Sequence, residues 1–562
     1  MSGKHIRLLG PVLPLVCLWA LTAWLVEPWG EFTINDDWSF VHSLKALTAE
    51  GRMIPTGWGK GGPALIVHLL WGALFTYLFG FSLTVLRISV MVLGLSGSVA
   101  LLFLLRSLGV TARLSLFGAL VLTCNPLFLS QSFTFMTDVT FAALTIFALF
   151  WLHRGVESKS TGLIAVGLIF CLAAILTRQI GLVTPLGFIC VGLLHPVGRD
   201  LGRRRLIILT LVLVFLPWLG WEWFLAAAGS TPVTRHEVFN NIYGYFVRKG
   251  PVEYIIFLLS RFLLVSPGYL AFSLAPLLLL QTGSRWSHSR FRVILAAYAT
   301  VFFIFEALIL AGAISPPVRL HYNVLTPQGL GPLLFKDTYL LGYERFPLLT
   351  APLFYLLVFF TAPLAVFLLA RIVSSLKKLL TGDPPPFTSA LALVSGLAYL
   401  GIITFTGFHD RYLIPVIALF IIWLLSDAAE DSAAPGLDRQ GAAAGAVLLL
   451  LAVLSVAGLH DFMAVKRAAL KAHEYLTTEL KADPCRVDGG FEFNGFHCNR
   501  PDFKPRPGLS WWWVDREDYL VTLGPLPDYQ IVKLFPVRRW LGRDGAVYVL
   551  KPSLPLGAPE PS

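Results

Sequence analysis

The chain has 562 residues, 56% of them hydrophobic and 14% charged. Soluble domains carry about 25% charged residues, whereas here apolar runs of about 20 residues, the length that crosses bilayer hydrocarbon, recur from residue 8 to residue 459. The net charge of +11 would raise nucleic acid in a soluble protein, but much of the basic charge sits in short loops between apolar runs, where it sets membrane orientation instead.

Lys4 and Arg7 precede the first apolar run, with no small-residue cleavage site after it. That run is too long for a signal peptide and is expected to stay as the first span. Backbone polar groups in lipid must be satisfied within their own segment, so each run is expected to be a helix. The runs lie near 8–27, 86–105, 114–134, 139–152, 161–177, 180–195, 206–228, 262–282, 293–314, 351–370, 388–406, 412–426 and 441–459, which makes about thirteen spans. Residues 63–81 are long enough to cross as well, but orientation argues against it. With Lys4 and Arg7 inside, a non-crossing 63–81 puts Arg106, Arg113, Arg154, Lys159, Arg199, Arg203, Arg204 and Arg205 on the same inner side. Arg285, Arg290, Arg292, Arg371, Lys377 and Lys378 follow them. Residues 63–81 are therefore expected to be a helix at the outer interface, within a first outer loop 28–85. The acidic loop 427–440 falls inside as well, and acidic residues contribute little to orientation.

Thirteen spans leave the tail outside. It opens with a helical pattern, Ala464 to Leu480, then passes through Gly/Pro turns to short aromatic strands such as 546–550. The expected division is a membrane part, 1–459, and a small α/β or α+β extracytoplasmic domain, 460–562. Cys17, Cys124, Cys171 and Cys190 lie in apolar runs and are expected to pack as hydrophobes. Cys485 and Cys498, the two in the tail, would pair as a disulfide if the tail lies outside the cytoplasm.

This topology sorts the ionisable residues. Asn35-Asp36-Asp37-Trp38 follows the first span. Two carboxylates at headgroup depth can have a raised pKa and act as a base, or they cap the following helix. Asp138, in Phe135-Met136-Thr137-Asp138, stands alone between two uncharged runs at the outer edge. An acidic residue near hydrocarbon marks a site by default, although it would also cap the next helix. Arg178, in a tight outer link, is placed to grip a phosphate with paired donors, or to pair with Asp138. Arg411, in His409-Asp410-Arg411-Tyr412, is a second phosphate ligand or an internal partner of Asp410. Lys60 sits in a Gly-rich stretch before 63–81, where it reaches a ligand or rests near headgroups. Arg235 and His236 are also outside.

Carboxylates and cations gathered at one membrane face suit a reaction with an anionic leaving group and an acceptor that must lose a proton. Glycosyl transfer from a lipid phosphate is such a reaction, and a single displacement would invert the anomeric centre. These residues resemble the GT-C glycosyltransferases, and more narrowly a bacterial family 39 type akin to protein O-mannosyltransferases and the lipid A aminoarabinose transferase. The resemblance covers roughly residues 8–459. It implies Asp36 as general base with Asp37 in support, where relatives commonly have Glu second. It also implies Asp138 as a second acidic motif and Arg178, Lys60 and Arg411 as ligands of the donor phosphate. Lys60 and Pro63 match a Lys-Pro-Pro element loosely, since Gly61 and Gly62 intervene. The expected partners are a polyprenyl-phosphate sugar and a lipid, glycan or protein acceptor, with no nucleic acid. No His/Cys cluster is seen, so no metal is expected to be required. The expected location is the plasma (bacterial inner) membrane, with the active site and tail on the extracytoplasmic side. Residues 485–498 either touch an acceptor or form a disulfide-closed structural loop. The rival readings are a transporter or flippase of lipid-linked sugars, which would place its charges at the midplane, and a noncatalytic sensor.

Overall fold

The computed structural model describes residues 10–53, 65–230, 243–244, 246–248, 250–281, 296, 300, 323–326, 329–343, 351–407, 409–428 and 439–553. The first helices are α1 (Leu13–Val26), α2 (Asp37–Glu50), α3 (Ile66–Phe79) and α4 (Leu83–Ser107). Next come α5 (Ala112–Thr123), α6 (Pro126–Ser132), α7 (Thr137–Glu157), α8 (Thr161–Ile175) and α9 (Val183–Leu194). The bundle is completed by α10 (Arg203–Ala227), α11 (Ser266–Gln281), α12 (Ala351–Thr381), α13 (Phe387–Thr406), α14 (Ile414–Ala428) and α15 (Arg439–Glu479). The protein is an all-α polytopic membrane protein with a small sheet near its C-terminus.

Five of these helices, α4, α7, α10, α13 and α15, are long and apolar enough to cross a membrane by themselves, among the described residues. That differs from thirteen uniform spans, and the reason is local. The run 114–134 is not one straight helix: Asn125 interrupts it, its Oδ1 accepting from the N–H groups of Leu127 (3.0 Å) and Phe128 (3.3 Å). Asn at an N-cap followed by Pro at the first helical position is a strong restart signal, and α5 and α6 meet at a 66° bend. Other runs give shorter apolar helices, such as α1, α8 and α11. The run 293–314 and the basic residues Arg285, Arg290 and Arg292 lie outside the described residues.

Contacts mark the two ends of the bundle. At one, His153 near the end of α7 meets Thr388 at the start of α13 (Nδ1–Oγ1, 3.1 Å). His195, after α9, meets the Pro385 carbonyl there too (3.1 Å). The other end collects the turn before α2, the start of α7, the link after α8 and the turn before α14. Helix α3 begins and finishes near this second end. Its Val67 N–H donates to the Leu176 carbonyl (3.5 Å), and after Gly80 the chain reaches Ser82, whose hydroxyl donates to Glu31 (2.7 Å). Its outward side chains Leu70, Leu74, Tyr77 and Leu78 are exposed. Cys124 and Cys171 are buried, while Cys17 and Cys190 are exposed.

Helix α15 runs on beyond the bundle and supplies the base of the C-terminal part. Val465, Ala468, Ala469, Ala472 and Leu476 are buried at spacings of three and four residues, one face of a helix. That face packs on Val521, Val537, Val547 and Val549 of a mixed sheet. Two short strands in the preceding segment are β1 (Leu325–Thr326) and β2 (Gly329–Leu330). The larger sheet holds β3 (Val487–Asp488), β4 (Tyr519–Thr522), β5 (Tyr529–Val537) and β6 (Gly545–Pro552), in the order β3-β4-β6-β5. The β3/β4 pair is parallel and the other two are antiparallel, with an irregularity between Ile531 and Lys533. The sheet is tied to the segment before α12 through a buried Lys336–Glu517 pair and through Asp337, which accepts from the Leu523 N–H (2.9 Å). A last helix, α16 (Phe491–Cys498), lies between the sheet and α2, and Cys498 is bonded to Cys485 (Cα–Cα 5.5 Å).

Candidate active site

At the second end of the bundle, four charged side chains from distant parts of the chain converge. Asp36 stands at the N-cap of α2 but caps nothing with its side chain. Its Oδ2 instead accepts from Arg411 NH2 at 3.0 Å, across 375 residues of sequence. Asp138, in the first turn of α7, accepts through Oδ1 from Arg178 NH1. Its Oδ2 lies 4.0 Å from Arg411 Nε. Both guanidinium groups flank Tyr412, with Arg178 Cζ 4.7 Å and Arg411 Cζ 5.5 Å from the ring centroid. Two carboxylates and two guanidinium groups therefore share one site.

Why the sequence puts them there is visible in the backbone. Asp410 opens a single tight turn before α14, and its carboxylate accepts from the N–H groups of Arg411 (2.7 Å), Leu325 (2.7 Å) and Val324 (3.0 Å). Asp410 is thus the anchor of the loop and not the ion partner of Arg411, whose guanidinium turns away to Asp36 and Asp138. Burial raises the Asp410 carboxyl to about 6, against the pull of those N–H donors. Arg178 follows α8 directly, and Thr177 closes that helix by donating to the Ala173 carbonyl (2.9 Å).

Asp37 is placed quite differently from its neighbour. Successive helical residues point about 100° apart, so Asp36 keeps 28% of its side-chain surface while residue Asp37 keeps 3%. Asp37 accepts from the Ile34 N–H (2.7 Å) and the Phe135 N–H (3.4 Å), which fastens the turn before α2 to the turn before α7. Burial pushes its carboxyl up to about 7. Lys60, Arg235 and His236 lie outside the described residues.

Charge in the four-residue cluster is not fully matched. Burial works against a charged Arg411, yet Asp138, Tyr412 and Asp36 hold its guanidinium above the ordinary arginine range. The same balance, led by Asp138, holds Arg178 above that range. Among the described residues, however, Arg411 Nε and NH1 and Asp138 Oδ2 are buried without a hydrogen-bond partner. A buried guanidinium with idle donors is costly unless a further acceptor joins it. No group of three or more His, Cys, Asp or Glu side chains stands together as a metal site among the described residues.

Sequence reasoning did not single out several residues that frame this site. His68 of α3 is buried, 3.0 Å from Thr140 Oγ1 and 3.2 Å from the Phe135 carbonyl. Arg87 of α4 donates to the carbonyls of Phe32 (2.8 Å) and Pro28, holding the chain that leads into Asp36. Glu492 and Lys466 form a buried pair (2.5 Å) next to Asn35. A basic residue at the start of α4 was a readable signal, since a charge inside an apolar run needs a partner. Glu492 falls in the segment 485–498 marked above, but nothing local marks its contact with Asn35, 457 residues away.

Residues 63–221 match a family model described as dolichyl-phosphate-mannose-protein mannosyltransferase. No curated protein matches the chain. A crystal structure of ArnT from Cupriavidus metallidurans in the apo state is similar at 15% identity, with a TM-score of 0.44, covering 86% of this chain and 82% of that one. A crystal structure of ArnT from the same organism bound to undecaprenyl phosphate is similar at 13% identity, with a TM-score of 0.47, covering 96% of this chain and 98% of that one. The matched segment contains Asp138 and Arg178, while Asp36, Asp37 and Arg411 lie outside it. Over residues 63–221 the chain thus resembles that mannosyltransferase family.

Proposed function

We propose that this protein transfers a sugar from a polyprenyl-phosphate donor to an acceptor hydroxyl at the extracytoplasmic face of the plasma (bacterial inner) membrane, inverting the anomeric centre. The observation that carries this reading is the cluster of Asp36, Asp138, Arg178 and Arg411, in which Arg411 has two buried donors without partners among the described residues. Planar guanidinium groups match phosphate oxygens with paired donors.

In the reaction, the donor phosphate sits against Arg411 and Arg178, with Lys60 as a further cation near it. Arg411 is then shared between the phosphate and Asp36. Loosening of the 3.0 Å contact to Asp36 leaves that carboxylate to take the acceptor proton as the hydroxyl attacks the anomeric carbon. The bond to the phosphate oxygen breaks, and the arginines stabilise the charge that grows on the leaving phosphate. Asp138 keeps Arg178 in position throughout. Asp37 supports the reaction by fixing the turn that carries Asp36. No metal enters this scheme. The donor chemistry accords with the family match and with the undecaprenyl phosphate in the similar ArnT structure.

The test compares the cell envelope of strains carrying the wild-type chain and Asp36→Asn. Loss of a glycan modification, with accumulation of lipid-phosphate sugar, is expected. Normal transfer by the Asn variant would remove Asp36 as the base. Cysteines introduced at positions 60 and 138 should both react with an impermeant reagent added from outside, and protection of both would reverse the orientation.

A further inference from the structure

The acidic turn that carries Asp36 is held from above by a helix that belongs to the far end of the chain. Asn35, immediately before Asp36, has φ 56°, a left-handed conformation that is uncommon outside glycine and most accessible to Asn and Asp. Its N–H donates to Glu492 Oε1 (3.2 Å), and its side-chain amide donates to Asn323 Oδ1 (2.9 Å). The backbone carbonyl of Glu492 accepts from Thr33 Oγ1 (3.3 Å), so one residue holds the chain on both sides of Ile34. Lys466 of α15 meets the same Oε1 at 2.5 Å and keeps the glutamate oriented.

The rest of α16 repeats this contact along α2. Gly495 lies so close to the Trp38 ring that a Cβ there would come within 2.4 Å of it. The Phe496 carbonyl meets His42 Nε2 at 2.9 Å. Glu492, Gly495 and Phe496 are spaced three and four residues along one helical face, against Trp38 and His42 of α2 and Asn35 in the turn before it. The Cys485–Cys498 bond closes the segment that contains this face.

We propose that Glu492 is a positioning residue for the reaction: it fixes the left-handed Asn35 and so aims the Asp36 carboxylate at the site shared with Arg411. The proposal rests on the reading of Asp36 as the base. It assigns the C-terminal region a part in catalysis without contact with either substrate. A displacement of about 1 Å in a reacting group costs on the order of 100-fold in rate, so a small relaxation of the turn is enough to be read.

The experiment uses the full-length protein. Transfer is read as the initial rate of envelope glycan modification after induction, donor-site integrity as the affinity of the purified protein for undecaprenyl phosphate, and folding as the thermal midpoint in detergent. Glu492→Ala should lower transfer about 10-fold to 100-fold, with undecaprenyl phosphate affinity held within about twofold. Glu492→Gln, which keeps an oxygen for the Asn35 N–H, should recover most of the rate. Asn323→Ala, which removes the second hold on Asn35, should give a smaller loss of the same kind and serves if Glu492→Ala does not fold. Wild-type transfer by Glu492→Ala, or a loss that appears in undecaprenyl phosphate affinity instead of rate, overturns the proposal. Asp36→Asn is run alongside. Normal transfer by that variant overturns the base assignment, whereas an inactive Asp36→Asn beside a fully active Glu492→Ala overturns only the positioning role.

Discussion

The two ends of helix α14 carry buried charges of the same kinds, arranged for opposite purposes. At its C-terminal end, Arg371 of α12 donates to Asp427 Oδ2 at 2.5 Å, with both side chains more than nine-tenths buried. Asp427 sits where the helix dipole is unfavourable to an anion, and the arginine offsets it. At the N-terminal end, Arg411 faces Asp36 and Asp138 together, and two of its donors have no acceptor among the described residues. At the Arg371 end one cation is matched by one anion. A cluster that leaves guanidinium donors and a carboxylate oxygen unused is incomplete as architecture, and it makes sense when a third, anionic group completes it. What distinguishes the Arg411 end is an unused carboxylate oxygen beside two unused guanidinium donors among the described residues, not the presence of charge.

Substitutions at the open end should be the most damaging to activity. Asp36→Asn removes the base and should reduce transfer by about 10²-fold to 10⁴-fold, measured as envelope modification, with undecaprenyl phosphate still bound by the purified protein. Arg411→Lys keeps a charge but loses the planar pair of donors. A loss of about 10²-fold to 10³-fold is expected, accompanied by weaker undecaprenyl phosphate binding. Equal binding by the lysine variant would show that the idle donors of Arg411 do not meet the phosphate, and the contrast between the two ends would fail.

Asp37 sharpens the comparison from another side, because it is a buried carboxylate at the open end with no cation in contact among the described residues. Its carboxyl is raised to about 7 from an unfolded value of 3.8. A raised carboxyl binds its proton more tightly in the folded state, so its contribution to stability is fully present at low pH and is lost as pH rises from about 4 to about 7. Asp37→Asn removes that titration and keeps one acceptor oxygen. The variant should match or fall below the wild-type thermal midpoint at pH 4, and gain on it by pH 8. A pH-independent difference would mean that Asp37 is ionised throughout.

Parts of this arrangement were legible in the sequence for identifiable reasons. Basic loops alternate with apolar runs, so counting from Lys4 and Arg7 places positions 36, 138, 178 and 411 on one side. The structure brings these four together at one end of the bundle. The pairing of Arg178 with Asp138 was weighed because both stand out in uncharged surroundings. The contact of Arg411 with Asp36 could not be read, since no periodicity links residues 375 positions apart. The bend at Asn125 was readable from the Asn-Pro restart but invisible to hydropathy, which averages over it. The role of α16 was hidden because its register on α2 is set by close packing of Gly495 on Trp38. Such a contact leaves no trace in local composition.

The smallest effect on activity is expected at the closed end of α14. Arg371→Met alone leaves Asp427 buried without its cation, which should cost roughly 3–5 kcal/mol of stability. Asp427→Leu added to it removes the stranded charge, and the double variant should return to within a few kcal/mol of the wild type or exceed it, since apolar replacements of a buried pair are neutral to stabilising by about 1–4 kcal/mol. Transfer by the folded double variant should be unchanged. The corresponding exchange at the other end, Arg411→Met with Asp36→Leu, has the same electrostatic logic for folding and should recover stability in the same way, yet it should abolish transfer. If the double variant at Arg371 and Asp427 also lost transfer while remaining folded, the two ends would be coupled through α14. The closed pair would then belong to the catalytic apparatus along with the open one.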